Sequence, residues 1–235
     1  MHKLLYIFLL IGFSQQAKEL PKEFTLATAE IPPYVTVSQN KQIEGLFIDK
    51  LNEFQKNTKI KIHIFVMPWA RAVNEVKKGK MDAILPALWS KERSEYMAYP
   101  TLPFFTFSQS VLIKRVEDNF TFTNLHTINA QKIIGKTRSM LLDQDFDKLV
   151  KQGKLSIYET NKLEQALFMM LQGKVDLVAS DGDIALSAIK QLRLENRFIL
   201  LPMHEVSPPS FMAFSRPFAE KHDINQFMSM IVAGH

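Results

Sequence analysis

The stretch Leu163–Asp181, LEQALFMMLQGKVDLVASD, repeats the plan of Ala70–Pro86, ARAVNEVKKGKMDAILP, from the first half of the chain. In both, an amphipathic helix is followed by Gly-Lys, one apolar residue, an Asp and a short apolar run. Two copies of one helix–turn–strand unit predict two similar α/β lobes, although one larger domain containing both units is the alternative. We favour two lobes, and the cleft between two lobes is a preferred site for small ligands.

The local pattern of the second copy is clear. One helical face is formed by Leu163, Ala166, Leu167, Met170 and Leu171. Asn161 is expected to cap this helix, and Gly173 is expected to end it in a left-handed turn. Ser180 and Asp181 then lie at the carboxyl end of a buried strand. Ligands of open α/β sheets bind at such ends, so these two residues are candidate site residues.

Composition excludes several classes of function. The 235 residues include no cysteine and give a net charge of +5 without a cluster of basic and aromatic residues, so we expect no nucleic-acid partner. The histidines lack zinc-like spacing, and we expect no metal and no cofactor. Asp143, Asp145 and Asp147 alternate as in a calcium loop, but the Gly and Glu that such a loop needs are missing. We interpret these three acids as the solvated face of a helix.

Residues 1–17 have the pattern of a secretory signal peptide, with Lys3 before the apolar run Leu4–Phe13. The run is short for a membrane span, and an uncleaved N-terminal anchor is the alternative interpretation. An exported chain without cysteine fits the bacterial periplasm. The expected elements divide the mature chain into a discontinuous lobe 1, residues 18–112 plus 205–235, and a lobe 2, residues 113–204. The chain would then cross twice between lobes, which makes a natural hinge.

Short motifs along the chain occur in an order and spacing that together are specific. They are Ile31–Tyr34, Gly45–Asp49, Trp69–Arg71, Gly79–Asp82, Ser90–Arg93 with Tyr99-Pro100, and Gly173–Asp176 with Asp181. On these motifs the chain resembles the bacterial extracellular solute-binding proteins of family 3, the polar amino acid-binding components of ABC transporters. The resemblance implies an α/β, two-lobed periplasmic binding protein type II fold, with mixed sheets flanked by helices and a two-strand hinge.

The resemblance also implies roles for two charged residues. Arg93 matches the arginine of the Ser/Thr-x-x-Arg motif, which begins here at Ser90 and holds the ligand's α-carboxylate in a bidentate pair. The alternative is a surface arginine paired with Glu92 or Glu95. Asp181 matches the acid that meets the ligand's α-amino group, and capping of the following helix is its alternative or additional role.

Other site residues follow from the same motifs. Tyr34 matches the aromatic residue that packs over the ligand side chain, and Trp69 is a second aromatic found in some subfamilies; core packing is the alternative for both. The loop Thr137-Arg138-Ser139 matches the family's strand-to-helix loop, where N–H groups and a hydroxyl help to bind the carboxylate. Arg138 departs from the family pattern, and it either favours a more acidic ligand or faces solvent.

The implied function is that of a periplasmic protein without enzymatic activity. It would capture a small zwitterion or related anion, an amino acid in the first place, and deliver it to the membrane permease of an ABC transporter. Two alternatives use the same fold. One is an enzyme similar to cyclohexadienyl or arogenate dehydratases, for which Glu30 lies near the expected pocket. The other is a solute sensor that takes no part in transport.

Overall fold

The structure, a computed structural model, describes residues 18–203 and 209–233. The expected leader at 1–17 and the expected second crossing near 205 lie outside these ranges. Up to residue 115 the elements are β1 (Glu23–Thr28), β2 (Thr36–Val37), β3 (Ile43–Glu44), α1 (Leu46–Thr58), β4 (Lys61–Val66), α2 (Trp69–Lys77), β5 (Ala83–Leu88), α3 (Lys91–Ser94), β6 (Met97–Ala98), β7 (Phe105–Thr106) and β8 (Ser110–Arg115).

The remaining elements repeat the alternation of strands and helices. They are β9 (Ile133–Thr137), α4 (Gln144–Lys151), β10 (Ser156–Thr160), α5 (Leu163–Leu171), β11 (Leu177–Asp181), α6 (Gly182–Gln191), β12 (Phe198–Pro202), β13 (Pro209–Ser215), α7 (Arg216–Lys221) and α8 (Ile224–Ala233). Short 3-10 turns at Leu125–Thr127 and Glu195–Arg197 complete the second part.

The strands pair into two larger sheets of the same design. The first has the order β4-β1-β5-β13-β6, with β7 also on β13, and the second has the order β10-β9-β11-β8-β12. Each sheet contains three adjacent parallel strands. In each sheet the next strand is antiparallel and comes from a distant part of the sequence: β13 pairs with β5 in the first sheet, and β8 pairs with β11 in the second. The fold is therefore the two-lobed α/β fold that the sequence predicts, with helices flanking mixed sheets.

The repeated unit occupies equivalent places in the two sheets. In the first, α2 connects edge strand β4 to β5, and in the second, α5 connects β10 to β11. The aspartates of the two Gly-Lys-x-Asp cores have equivalent partners. Asp82 Oδ2 accepts from the N–H of Thr25 in β1 at 2.8 Å, and Asp176 Oδ2 accepts from the N–H of Ile133 in β9 at 2.8 Å. Each aspartate thus ties its own strand to the neighbouring strand.

Aromatic side chains fill the core beside the first sheet. Phe24 of β1 meets Phe227 of α8 edge-on at 5.1 Å between ring centroids, and Phe54 of α1 meets Phe227 at 5.4 Å. Edge-on pairs of this kind add about 0.5–1.5 kcal/mol each beyond the area they bury. The last helix is thereby packed on the N-terminal half of the chain. Beside the second sheet a smaller cluster includes Phe146 of α4 and Leu177 of β11.

The chain passes from the first sheet to the second through residues 107–109, between β7 and β8. Strand β8 lies wholly in the second sheet, and β13 returns to the first after residues 204–208, outside the described ranges. The division into lobes at 112 and 205 remains a prediction. One local expectation is wrong: Asn161 does not cap α5 with its side chain. Gln165 instead accepts from the N–H groups of Asn161 and Lys162, because its amide reaches back over the first turn.

Candidate functional site

Arg93 is placed by the short helix α3, which follows the carboxyl end of β5. The Ser90 hydroxyl caps this helix by accepting from the Arg93 N–H at 3.1 Å, so this part of the motif acts on the backbone. The Arg93 side chain is only 5% exposed, which differs from a surface arginine paired with Glu92 or Glu95. Its guanidinium donates to the carbonyls of Leu88 at 3.1 Å and Ser139 at 2.6 Å. A buried guanidinium is thus held at the end of the first sheet.

Asp181 is the last residue of β11 and the cap of α6. Its Oδ1 accepts from the N–H groups of Asp183 at 3.0 Å and Ile184 at 3.1 Å, and its Oδ2 accepts from the Ser108 hydroxyl at 3.0 Å. The predicted capping role is therefore present. The side chain is 5% exposed, and burial raises the pKa of Asp181 to about 6, although the hydrogen bonds from Ile184 and Ser108 oppose the rise.

Arg93 and Asp181 line the same small cavity, of about 30 Å³, although Arg93 lies in helix α3 beside the first sheet and Asp181 ends β11 of the second. Trp69, Met140 and Ile184 line it too, and the same three residues also line a larger cavity of about 230 Å³. The two cavities therefore form neighbouring parts of one space between the sheets. Oppositely charged groups from two lobes beside such a space suit a small ligand with separated charges.

Contacts between the lobes surround this space. The carbonyl of Ser139, whose φ is 59°, accepts from the Trp69 indole N–H at 3.1 Å as well as from Arg93. Two ion pairs also connect the lobes, Lys162–Glu30 at 3.1 Å and Lys151–Glu92 at 2.7 Å. The lobes thus meet in this structure through both buried and exposed polar contacts.

The predicted aromatic residues have different surroundings. Trp69 begins α2 and lines both cavities, with the Arg93 guanidinium 5.9 Å from its ring centroid. Tyr34 is 2% exposed and stacks on Phe47 at 4.7 Å. Its hydroxyl donates to Asp183 Oδ2 at 3.0 Å, and burial is the main reason that the pKa of Tyr34 is raised. Tyr34 therefore packs in the core and connects the lobes, and its contact with a ligand remains a prediction.

The three predicted site residues in the loop after β9 also have different surroundings. Thr137 lines the larger cavity. Arg138 is exposed and pairs with Glu159 at 3.4 Å, while Ser139 presents its carbonyl to the first lobe. The main-chain N–H of Arg138 donates to Thr160 and that of Met140 to Thr137, so these two N–H groups already have partners within the lobe. Ligand contacts of Thr137, Arg138, Ser139 and Ser90 remain predictions.

Sequence reasoning missed two charged residues near this loop, the buried Lys136 and the partly buried Asp147. Lys136 is 6% exposed and its ammonium donates to the Met140 carbonyl at 2.5 Å, while burial lowers its pKa. Asp147 accepts from the Leu142 N–H at 3.1 Å, and burial raises the pKa of Asp147 to about 6. The solvated-face interpretation is thus wrong for Asp147. The only signal in the sequence was a lysine within the apolar strand IIGKT.

Ser108 was also missed, because its segment has no motif. Its hydroxyl donates to Asp181 and accepts from the Asp183 N–H at 2.8 Å. Ser108 therefore connects the segment between the two sheets directly to Asp181, which lines the small cavity.

Within residues 18–203 and 209–233, no cluster of three or more His, Cys, Asp or Glu side chains could hold a metal ion. In the same ranges no helix is both long and apolar enough to cross a bilayer.

The fold and the cavity between its lobes define a binding protein of the two-lobed type. The sequence profile of the bacterial extracellular solute-binding proteins, family 3, matches residues 25–187. The chain belongs to this family, whose members act outside the cytoplasm. No curated protein sequence matches it.

Solved structures with the same fold have different functions. An ancestral arginine-binding protein bound to arginine has a TM-score of 0.74 at 17% identity, with 92% of each chain covered. A histidine kinase sensor domain similar to periplasmic binding proteins has a TM-score of 0.73 at 16% identity, covering 91% of this chain and 89% of that one. The ancestral amino acid-binding protein AncCDT-1, a precursor of cyclohexadienyl dehydratase, has a TM-score of 0.69 at 14% identity, with 89% of each covered. At these identities the likeness shows the fold alone.

Proposed function

We propose that this chain captures a small zwitterion, an amino acid in the first place, between its two lobes. In this proposal Arg93 binds the α-carboxylate and Asp181 binds the α-ammonium group. The observation that most supports it is that these two buried, oppositely charged side chains come from different lobes and line one cavity. Charge-assisted hydrogen bonds are about twice as strong as neutral ones, and low solvent exposure strengthens them further.

Delivery is the second part of the proposal. The two segments between the sheets form a hinge, the lobes close around the ligand, and the closed form presents it to the permease of an ABC transporter. Residues 1–17 direct export to the periplasm as a cleaved leader. Closure requires that the ligand gain more contact free energy in the closed form than in the open one. Charged groups from both lobes beside one cavity support this part of the proposal.

The dehydratase-like alternative has one supporting observation, because Glu30 lines the larger cavity. A carboxyl group there is available only in competition with Lys162, its partner at 3.1 Å. Turnover of prephenate by the purified protein would favour this alternative. A sensor role without transport would instead be favoured by two results together: the purified protein binds an amino acid, and deletion of its gene leaves the uptake of that amino acid unchanged.

The proposal is tested by calorimetry of the twenty common amino acids against the wild type and three arginine variants. Arg93→Ala is expected to weaken binding by at least about 30-fold, since loss of one partner of a buried charge pair costs about 2–5 kcal/mol. Arg93→Lys recovers part of the loss, because an ammonium cannot reproduce the bidentate geometry.

Arg197→Ala is the matched control, because Arg197 is an exposed arginine paired with Glu117 at 4.0 Å and lines neither cavity. It is expected to leave affinity within about twofold, since exposed pairs contribute little. Unfolding temperatures of all variants show that the fold is retained. Equal affinity of Arg93→Ala and the wild type would overturn the assignment, and so would the absence of binding to any amino acid.

A further inference from the structure

The larger cavity has an apolar interior and a charged edge. Its buried lining residues are apolar apart from Ser180, and they include Ile31, Trp69, Leu163 and Ile184. Its charged lining residues are Glu30, Lys162 and Glu164, none of which is buried. Thr137 and Asn161 are its other polar lining residues, and neither is buried. A ligand side chain in this cavity therefore meets mainly apolar atoms along its length and charges only near solvent. An ionised group in the interior would lose its hydration without a compensating partner.

The charges at the edge come from both lobes. Glu30 follows β1 in the first lobe, and Lys162 directly precedes α5 in the second, with their charged atoms 3.1 Å apart. Glu164 lies in the first turn of α5, where a negative charge interacts favourably with the helix dipole. A cationic side chain that approached Glu30 would have to displace Lys162, and it would meet the ammonium of Lys162 as a like charge.

We propose that the Glu30–Lys162 pair determines the charge class of the ligand side chain, so that the protein accepts an uncharged, mainly apolar side chain and disfavours a cationic one. This inference rests on the proposed function and adds the class of amino acid. Lys162 is the specificity-determining residue, because its ammonium neutralises the carboxylate that a cation would need. Without it, two carboxylates would face the cavity with no opposing ammonium.

L-norleucine and L-lysine test the proposal, because they differ only in the terminal ammonium. Calorimetry with the wild type is expected to give at least about tenfold tighter binding of norleucine. Lys162→Met is expected to move the lysine-to-norleucine affinity ratio about fivefold toward lysine, and Lys162→Glu to move it further, since each exposed charge contributes about 1 kcal/mol. The double variant Glu30→Gln/Lys162→Met is expected to lose most of this gain.

The chain supplies a matched control in the second pair between the lobes, Lys151–Glu92, whose residues line neither cavity. Lys151→Met removes the same charge and an equivalent contact, and it should leave the ratio within about twofold. The proposal is overturned if wild type prefers lysine, if Lys162→Met leaves the ratio unchanged, or if Lys151→Met shifts it equally. Failure of every amino acid to bind would contradict the proposed function as well, whereas lysine-selective binding would contradict this inference alone.

Discussion

The two repeated units have the same backbone plan and end in opposite charges. In the first lobe the chain runs from Asp82 through β5 and turns into α3, which places Arg93 beside the cavity. In the second lobe it runs from Asp176 through β11, whose last residue is Asp181. Asp82 and Asp176 join neighbouring strands in the two sheets, whereas Arg93 and Asp181, at or after the strand ends, line the small cavity. The framework is thus common to both lobes, and the chemistry differs where each strand ends.

The largest expected effect concerns pH and the acidic strand end. The pKa of Asp181 is about 6 in the folded protein, against about 3.9 in an unfolded chain. The folded form therefore holds the proton more tightly, and this stabilisation is full below about pH 4 and is lost as pH rises through about 6. The free energy of unfolding of the wild type should fall by up to about 3 kcal/mol over this range relative to Asp181→Asn. Urea unfolding at pH 4 and pH 7 measures the difference.

Asn is a suitable replacement in this experiment because it also caps helices well. Asp147 has a raised pKa and contributes its own pH dependence in both proteins, so the comparison between variant and wild type isolates Asp181. Identical pH dependence of the two proteins would contradict the assigned burial of this carboxyl group.

The next prediction compares Asp82 and Asp176, the aspartates of the two Gly-Lys-x-Asp cores. Asp82 accepts from both the N–H and the hydroxyl of Thr25, and the Asp82 N–H donates back to that hydroxyl at 3.0 Å. Asp176 accepts from the Ile133 N–H and pairs with Lys132 at 3.6 Å near solvent. We expect Asp82→Ala to lower the free energy of unfolding by about 2–3 kcal/mol and Asp176→Ala to lower it by about 1 kcal/mol, as measured by urea unfolding. Equal losses in the two variants would contradict the expectation that the Asp82 hydrogen bonds stabilise the fold more than those of Asp176.

The smallest effect compares the two glycines that end α2 and α5. Gly79 and Gly173 have φ values of +68° and +71°, so alanine is strained at either position by about 1 kcal/mol. A Cβ at Gly79 would also lie 3.2 Å from the Pro217 side chain, whereas no atom lies within 4 Å at Gly173. Gly79→Ala should therefore lower the unfolding temperature more than Gly173→Ala. The reverse order would contradict the packing of α7 against this turn.

Much of this framework could be predicted from the sequence because it depends on local patterns. Periodicity and the Gly-Lys-x-Asp spacing located α5 and β11, and the end of β11 located Asp181. The motif order also indicated Arg93, now found buried beside the same cavity as Asp181. The repeated unit is short, and the chain contains two copies of it, Ala70–Pro86 and Leu163–Asp181, so the two copies can be compared within one sequence.

The rest depends on contacts between distant segments, for which no local pattern exists. Glu30 and Lys162 are 132 residues apart and meet only because the lobes do. Ser108 lies in a segment without periodicity, and its bond to Asp181 appears only once the crossing is in place. An aromatic motif cannot distinguish a core position from a cavity position, which is why Tyr34 had two interpretations. Similarly, alternating acids do not reveal that Asp147 turns inward.

The central claim is that Arg93 and Asp181, from separate lobes, bind opposite ends of one zwitterion. The most direct test is calorimetry with the tightest-binding amino acid, its deaminated acid and its decarboxylated amine. We expect the wild type to prefer the amino acid by at least about 30-fold over either analogue. Asp181→Asn should abolish the preference over the deaminated acid, and Arg93→Ala should abolish the preference over the decarboxylated amine. Retention of both preferences in both variants would contradict the account.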